Sequence, residues 1–343
     1  MRRSFLLLFI VSGLIVVFLL SSGFLGKKLY MYNWAEYIPQ DVLNDFRKET
    51  GIKVIYDTYA SNEEMYAKLK AGARGYDIIF PSGDHVSIMI KEGMLEKIDK
   101  SRLSNFKYID KNILKKITYD PNNEYSIPYM LGSTGICVNK TKVREYERSW
   151  SIFERKDLKG KMTLLDDMRE VIGAALKYLG YSVNSTSTKE LEEAEEVLKG
   201  WKENIVKFDA EFYGKGIASG EYWVVHGYGE NIFSEIPEEE WDKYDFFIPK
   251  EGGTLWIDNM VIPKGAKHVD YAYKFIDFIL RPDIMARICD YLRLPCPNTE
   301  ARKLVKKKPI YTIDDLKNCE FIADVGEYIK LYRKVWNEIR FGY

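Results

Sequence analysis

The chain has 343 residues, which is long enough for two globular domains with a sizeable core. Its 51 basic and 51 acidic side chains balance, so no overall basic field favours binding to nucleic acid. The 25 tyrosines are unusually many, and aromatic rings of this kind serve cores and binding clefts alike.

The first residues are typical of an export signal. Arg2 and Arg3 precede an apolar run from Phe5 to about Leu25. The run is also long enough to stay as an uncleaved membrane anchor, and it has no cysteine for a lipid anchor. We expect residues 1–27 to be a signal peptide or anchor. The remainder should be periplasmic or otherwise extracytoplasmic, because the arginines favour a cytoplasmic N-terminus.

After the signal, predicted strands and helices alternate. Predicted strands cover residues 28–34, 52–59 and 77–82, and predicted helices cover about 41–50, 61–71 and 85–92. Ser61 and Glu64 have the spacing of a capping box at the second helix. This alternation predicts an α/β domain with a mostly parallel sheet.

Beyond residue 134 the order is less regular. Predicted strands cover 135–139, 161–167 and 221–229, and predicted helices cover about 168–179, 187–201, 268–280 and 324–339. The helix before Pro282 should stop there. Two α/β segments without a flexible linker predict two lobes joined by extended crossing strands, with a ligand site in the cleft.

Signals of catalysis and metal binding are few. The sequence has no G-x-S-x-G elbow, no P-loop and no G-x-G-x-x-G after a strand. His85, His226 and His268 lie far apart, without the spacing of metal ligands. We therefore expect no enzymatic activity, no metal and no cofactor.

The four cysteines leave their oxidation state open. They are Cys137, Cys289, Cys296 and Cys319. In an exported protein Cys289 could pair with Cys296, or Cys296 with Cys319, and free buried thiols fit equally well.

The positive signals are clusters of acidic and aromatic residues after predicted strands. Trp256 and Asp258 are two residues apart in a short strand, so their side chains share a face. An indole beside a carboxylate suits an organic cation, although a buried Trp near a solvated Asp gives the same pattern.

Three further clusters share this chemistry. They are residues 33–37, residues 166–170, and Tyr228 with Glu230. Asp167 and Glu170 would share a helix face, but acidic residues there also satisfy free N–H groups at a helix start. Four such clusters around one cleft would fit a slim, polycationic, aliphatic ligand.

Several segments also carry a family resemblance. They are LYMYNWAEYIP, ETGIKVIYDTYASNEEMYAKLKAG, YDIIFPS, KEGM, DPNNEYSIPY, LLDDMREV, EGGTLWIDNMVIP and DFILRPD. In this order they resemble the bacterial spermidine/putrescine-binding proteins of ABC importers, which are type II periplasmic binding proteins. The resemblance implies an α/β fold with two lobes around a cleft. Lobe 1 would comprise residues 28–133 and 259–308, and lobe 2 residues 134–258 and 309–343.

The resemblance also implies which side chains contact the ligand. Aromatic rings would cover its methylenes, a hydroxyl would contact it, and carboxylates would hold its ammonium groups. The implied residues are Trp34, Tyr37, Ser82, Asp167, Glu170, Trp256 and Asp258.

Four positions depart from the family pattern. Tyr228 replaces a frequent Trp, and we retain it as a contact. Asp84 replaces a Tyr of some members and would either hold another ammonium group or cap the helix at residue 85. Leu294 replaces a usual Tyr, and Ile322 replaces a Gln that binds one ligand end. These changes leave the length and number of amines open.

We therefore expect the solute-binding component of an ABC importer. It would bind putrescine or spermidine reversibly as a monomer, deliver it to membrane permease subunits, and bind no nucleic acid. A polyamine sensor or a binding protein for another organic cation are alternatives. A hydrolase lacks a nucleophile signal, and a ferric iron or anion site would need other ligands.

Overall fold

The computed structural model describes residues 26–342, so nearly all of the predicted export signal lies outside the described residues. The strands are β1 (Lys28–Trp34), β2 (Lys53–Tyr59), β3 (Ile78–Ile79), β4 (Ser126–Gly132), β5 (Thr134–Asn139), β6 (Met162–Leu164), β7 (Ile205–Phe208), β8 (Val224–Tyr228), β9 (Tyr244–Phe247), β10 (Thr254–Val261) and β11 (Glu320–Phe321). Several of the predicted strands are present but shorter than expected.

Helices surround these strands. They are α1 (Gln40–Thr50), α2 (Asn62–Lys70), α3 (Gly83–Lys91), α4 (Lys111–Lys116), α5 (Met168–Tyr178), α6 (Thr188–Lys202), α7 (Tyr213–Ala218), α8 (Gly229–Ser234), α9 (Val269–Ile279), α10 (Pro282–Leu292) and α11 (Ile329–Phe341). Within residues 26–342, no helix combines the length and apolar character needed to cross a bilayer.

The strands form two sheets. The first has the order β11-β10-β3-β1-β2, with β4 also paired to β10. Its β1 pairs are parallel, whereas β10 is antiparallel to β3 and β4. The sheet is therefore mixed, and less parallel than the strand–helix alternation predicted.

The second sheet has the order β7-β6-β8-β5-β9. Here β6 is parallel to β7 and β8, while β5 is antiparallel to β8 and β9. Helices α5, α6 and α11 pack together on this side of the molecule. Each sheet with its helices forms one lobe, as expected.

Two connections between strands join the lobes, and residues 322–328 form a third crossing, from β11 to α11. The chain passes from β4 to β5 through Ser133, and it returns from β9 to β10 through residues 248–253. Strand β10 pairs with β11, β3 and β4 along its whole length, so Trp256 and Asp258 belong to the first sheet. The division of the other residues between the lobes stays a prediction.

Local capping explains where several helices begin. The Ser61 hydroxyl accepts a hydrogen bond from the backbone N–H of Glu64 at 3.1 Å, as the capping box predicted. At Pro282 the predicted stop is correct for α9, but the same proline begins α10. Proline is favoured in a first helical turn, where its missing N–H has no helical partner.

Candidate functional site

A cavity of about 1090 Å³ lies between the two sheets. All nine candidate residues line it: Trp34, Tyr37, Ser82, Asp84, Asp167, Glu170, Tyr228, Trp256 and Asp258. Most come from strand ends and helix starts of both lobes, whereas Tyr37 lies in the loop after β1 and Trp256 and Asp258 lie within β10, so residues far apart in sequence meet in one place.

Asp258 is a buried carboxylate held by two hydroxyl groups. The Tyr37 hydroxyl donates to Asp258 Oδ2 at 2.7 Å, and the Ser82 hydroxyl donates to Oδ1 at 2.6 Å. The residue is only 6% exposed, and burial raises the pKa of its carboxyl to about 6. The two donors fix its orientation and leave lone pairs for a cation.

Ser82 is itself positioned from the neighbouring helix. The Asn62 side chain donates to the Ser82 hydroxyl at 3.0 Å and accepts from the Ser82 N–H at 3.1 Å. Ser82 is the N-cap residue of α3, yet its side chain does not cap the helix. Its hydroxyl is committed to Asp258, so orientation of the carboxylate takes the place of helix capping.

Glu170 is a second buried carboxylate, in the first turn of α5. It is 3% exposed and accepts hydrogen bonds from the hydroxyls of Thr254 and Thr134, the latter at 2.6 Å. Burial, and then the charge of Asp167, raise the pKa of Glu170 to about 7. The carboxyl therefore holds a proton readily when no cation is bound to it.

A neutral histidine supports this carboxylate from behind. The Leu165 N–H donates to His226 Nδ1 at 3.4 Å, so Nε2 carries the hydrogen and donates to the Thr134 hydroxyl at 2.9 Å. Burial lowers the pKa of His226 to about 3. His226 is thus a neutral link in a hydrogen-bonded chain and lies behind the cavity wall.

Asp167 both caps α5 and faces the cavity. Its Oδ1 accepts from the N–H groups of Arg169 at 2.8 Å and Glu170 at 3.0 Å. The interpretation of Asp167 as a helix cap is therefore correct for one of its two carboxylate oxygens, Oδ1. The side chain remains exposed to the cavity, while desolvation by the surrounding protein walls raises its pKa.

The aromatic candidates supply partly buried ring surface to the cavity. The Trp34 indole donates to the Phe80 carbonyl at 3.0 Å and packs on Tyr59, with ring centroids 4.7 Å apart. Trp256 lies directly over Gly132, where a Cβ would be 2.3 Å from a ring carbon. Glycine at this position therefore leaves the space that the indole occupies against β4.

Asp84 lies inside the first turn of α3, because the helix begins at Gly83 and not at residue 85. Its Oδ2 is 2.9 Å from His85 Nδ1, and its side chain is 32% exposed. The carboxylate therefore faces the cavity with one oxygen already paired to a ring nitrogen.

Other acidic residues of the cavity wall were not among the nine candidate contacts. Glu230 lines it with Oε2 buried and without a hydrogen-bond partner, and burial raises its pKa to about 7. Glu36 lines it from a left-handed backbone conformation, φ 52°, which is strained for a non-glycine residue. Glu36 and Glu230 lie in clusters that the sequence analysis identified. Glu63 also lines the cavity but belongs to none of these clusters.

The cavity is strongly acidic. Its carboxylates are Glu36, Glu63, Asp84, Asp166, Asp167, Glu170, Glu230, Glu238 and Asp258, and its guanidinium groups are Arg169 and Arg293. Arg169 points to the Ala323 carbonyl and the Asn184 side chain, and Arg293 pairs with Glu238. The hydrogen bonds of these two guanidinium groups are thus made to groups other than Asp167, Glu170 and Asp258, and the excess of carboxylates in the cavity wall favours a cation over an anion.

Metal binding has no support in residues 26–342, where no three His, Cys, Asp or Glu side chains are grouped to hold an ion. The two apolar departures, Leu294 and Ile322, both line the cavity. Acid and aromatic groups therefore share its wall with aliphatic surface.

Comparison with known proteins identifies relatives over most of the chain. Residues 41–313 match the family model for bacterial extracellular solute-binding proteins. The spermidine/putrescine-binding periplasmic protein of Escherichia coli K12 is 42% identical over 325 residues, which cover 92% of each chain.

Solved structures agree with this result. A Treponema pallidum lipoprotein, Tp0655 (TpPotD), has a TM-score of 0.88 and 45% identity, over 92% of this chain and all of the other. A spermidine/putrescine ABC transporter substrate-binding protein of Streptococcus pneumoniae has a TM-score of 0.83 and 32% identity, with the same coverage. The expected two-lobed binding-protein fold is confirmed.

Proposed function

Because the chain belongs to the family of bacterial extracellular solute-binding proteins, we propose that it captures a polyamine for an ABC importer. Its family consists of solute-binding transport proteins, so it is a binding protein and not an enzyme. The observation that carries the proposal is Asp258, a buried carboxylate oriented by Tyr37 and Ser82 in an acidic, aromatic cavity.

In this proposal, putrescine or spermidine lies across the cavity with its ammonium groups on carboxylates. Asp258 takes one group, and Asp167 with Glu170 takes another. Each charge-assisted hydrogen bond contributes about 1.5–3 kcal/mol net. Micromolar to nanomolar affinity, roughly 8–12 kcal/mol, then needs only a few such contacts after the entropic cost of binding.

The aromatic residues would cover the methylenes between the ammonium groups. Trp34, Tyr37, Tyr228 and Trp256 supply this surface, with cation–π attraction of about 0.5–2 kcal/mol for each charged group in contact. The lobes would close around the ligand by a hinge at the two strand connections.

We further propose that the protein works outside the cytoplasm, as a monomer, and delivers its ligand to membrane permease subunits. The periplasmic and ABC-transporter relatives support this location and partner. One relative is named a lipoprotein, but the predicted signal here has no cysteine, so a cleaved signal or an uncleaved anchor fits better. A sensor role remains the second candidate, because the same cavity would serve it.

Calorimetric titration of the ligand-stripped protein from Lys28 onward tests the proposal directly. We expect one-to-one binding of putrescine, spermidine or spermine with a dissociation constant of about 1 µM or less. The same titration with cadaverine and with arginine measures whether other organic cations bind as tightly as these polyamines. No heat with any polyamine, in protein shown to be folded and empty, would overturn the proposal.

Affinity should depend on pH because buried carboxyls must be ionised to hold a cation. The pKa values of Glu170 and Glu230 are raised to about 7, and that of Asp258 to about 6. The bound ammonium groups lower these pKa values, so binding expels protons below pH 7. Affinity should therefore be highest above pH 7 and fall toward pH 5.5, by up to about tenfold per pH unit for each expelled proton.

Titration at pH 6.5 in two buffers with different ionisation enthalpies measures this proton release. The ligand amines stay charged in this range, so the released protons come from the protein. Affinity that rises as pH falls would contradict the assignment of these carboxyls to the ligand.

A further inference from the structure

Glu230 has an unpaired oxygen in the wall of the cavity. Among the carboxylates that line the cavity in residues 26–342, it alone has a buried oxygen, Oε2, without a hydrogen-bond partner. Asp258 and Glu170 are also buried, but each accepts hydrogen bonds from two hydroxyl groups. A buried acceptor without a donor is unfavourable in a folded protein, so this oxygen needs a donor from outside the chain.

The backbone around Glu230 is held on both sides. The buried hydroxyl of Tyr213 accepts a hydrogen bond from the Tyr228 N–H at 3.4 Å and another from the Asn231 side chain at 3.1 Å. Gly229 packs so closely that a Cβ there would lie 2.9 Å from a side-chain carbon of another segment. The start of α8 is therefore fixed before any ligand binds, which lowers the entropic cost of using this carboxylate as a contact.

Glu230 and Glu170 occupy equivalent places on the second lobe. Strands β6 and β8 are parallel neighbours, α5 follows β6, and α8 follows β8. Each glutamate lies in the first turn of the helix that follows its strand. The carboxyl ends of parallel strands meet at one edge of a sheet, so both residues line the cavity from this lobe, whereas Asp258 lines it from the other.

Within the described part of the chain, no side-chain cation of the cavity wall pairs with Glu230. No lysine of residues 26–342 lines the cavity. The guanidinium groups of Arg169 and Arg293 do line it, but their hydrogen bonds go to backbone carbonyls, an amide oxygen and Glu238. A positively charged donor for Glu230 therefore has to come with the ligand.

We propose that Glu230 holds a third ammonium group of the ligand and thereby makes the protein prefer a triamine to a diamine. This inference rests on the proposed function, in which Asp258 holds one ammonium group and Asp167 with Glu170 holds another. The third ammonium group brings the N–H donors and the positive charge that Oε2 lacks. A diamine on the other two positions leaves this buried oxygen unpaired, and a site with an unpaired buried polar group discriminates strongly against such a ligand.

Calorimetric titration of the wild type with three amines at pH 7.5 is the first test. The amines are spermidine, putrescine and octamethylenediamine, a diamine that has the chain length of spermidine without its central charge. We expect spermidine to bind at least about tenfold more tightly than either diamine. Equal affinity for spermidine and octamethylenediamine would mean that the cavity selects length and not a third charge, and would overturn the inference.

Glu230→Gln is the second test, because it keeps the size of the side chain and removes its charge. Spermidine affinity should fall roughly 10- to 100-fold while putrescine affinity changes by at most about threefold, so the preference for the triamine disappears. Glu235→Gln is the matched control, since Glu235 is exposed, directly follows α8 and is not among the residues lining the cavity. It should leave the affinity for both amines unchanged.

The outcomes distinguish this inference from the proposed function. Failure of every polyamine to bind the wild type would refute the proposed function itself. Polyamine binding that Glu230→Gln leaves unchanged, or weakens equally for spermidine and putrescine, would overturn only the role of Glu230. Thermal unfolding checks that the variant is folded, and if it is not, the comparison of the three amines on the wild type decides alone.

Discussion

Replacing Asp258 by asparagine is expected to weaken polyamine binding roughly 30- to 900-fold, about 2–4 kcal/mol. Asparagine keeps the size of the side chain but removes the negative charge. Its amide nitrogen would also face the Tyr37 or Ser82 hydroxyl, each of which now donates to a carboxylate oxygen. The buried site would then offer an ammonium group one partial negative charge in place of a full one.

The ligand-free variant should remain folded. In the wild type the Asp258 carboxylate is buried and its pKa is raised to about 6. Without a ligand this buried charge lowers the stability of the folded protein, and asparagine removes it. Thermal unfolding without ligand should therefore show an unchanged or higher melting temperature, together with the loss of affinity in calorimetry.

Glu238→Gln is the matched control for Asp258→Asn. Glu238 also lines the cavity, but its carboxylate is already paired with Arg293 and its side chain is 67% exposed. We expect at most about a threefold change in affinity, because exposed ion pairs contribute little. Equal losses in both variants would indicate a general effect of cavity charge, and unchanged binding by Asp258→Asn would refute the assignment of this residue.

The positions of the candidate residues could be predicted because they follow local rules. The bounds of β1 match the prediction, and side chains at the ends of strands in such folds point into the cleft. Trp256 and Asp258 line one cavity, as their spacing by two in a strand required.

The elements that were missed depend on tertiary context. Strand β4 contains Pro128, which is unfavourable within a sheet, but the register of its pairing with β10 shifts at Asp258 and Asn259, next to this proline. Glu63 reaches the cavity only because α2 packs beside Ser82, an arrangement with no local sequence signal. Glu230 lay in an identified cluster, but its unpaired buried oxygen is visible only in the structure.

Replacing Glu170 by glutamine should change affinity and stability in opposite directions. The variant loses a carboxylate that we propose holds an ammonium group of the ligand, so polyamine affinity should fall roughly 10- to 100-fold at pH 8. Glutamine can still accept hydrogen bonds from the Thr134 and Thr254 hydroxyls through its amide oxygen. The hydrogen-bonded chain behind the site should therefore persist.

The stability change follows from the raised pKa of Glu170, about 7 against an ordinary value of 4.5. A carboxyl with a raised pKa in the folded state destabilises the protein as pH rises from the unfolded pKa through the folded one. At pH 8 the ionised, 3% exposed side chain costs roughly 1–3 kcal/mol, and at pH 4 it costs little. The ligand-free variant should therefore melt at a higher temperature than the wild type at pH 8 and at the same temperature at pH 4.

Thermal unfolding at both pH values, with and without ligand, separates these effects. Glu190→Gln makes the same change in the first turn of α6, at a residue that is not among those lining the cavity, and should leave affinity unchanged. A lower melting temperature for Glu170→Gln at pH 8 would show that the carboxylate stabilises the empty protein, against the effect of burial argued here. The expected result, higher stability with lower affinity, would mean that this buried charge is retained for the ligand at the expense of the fold.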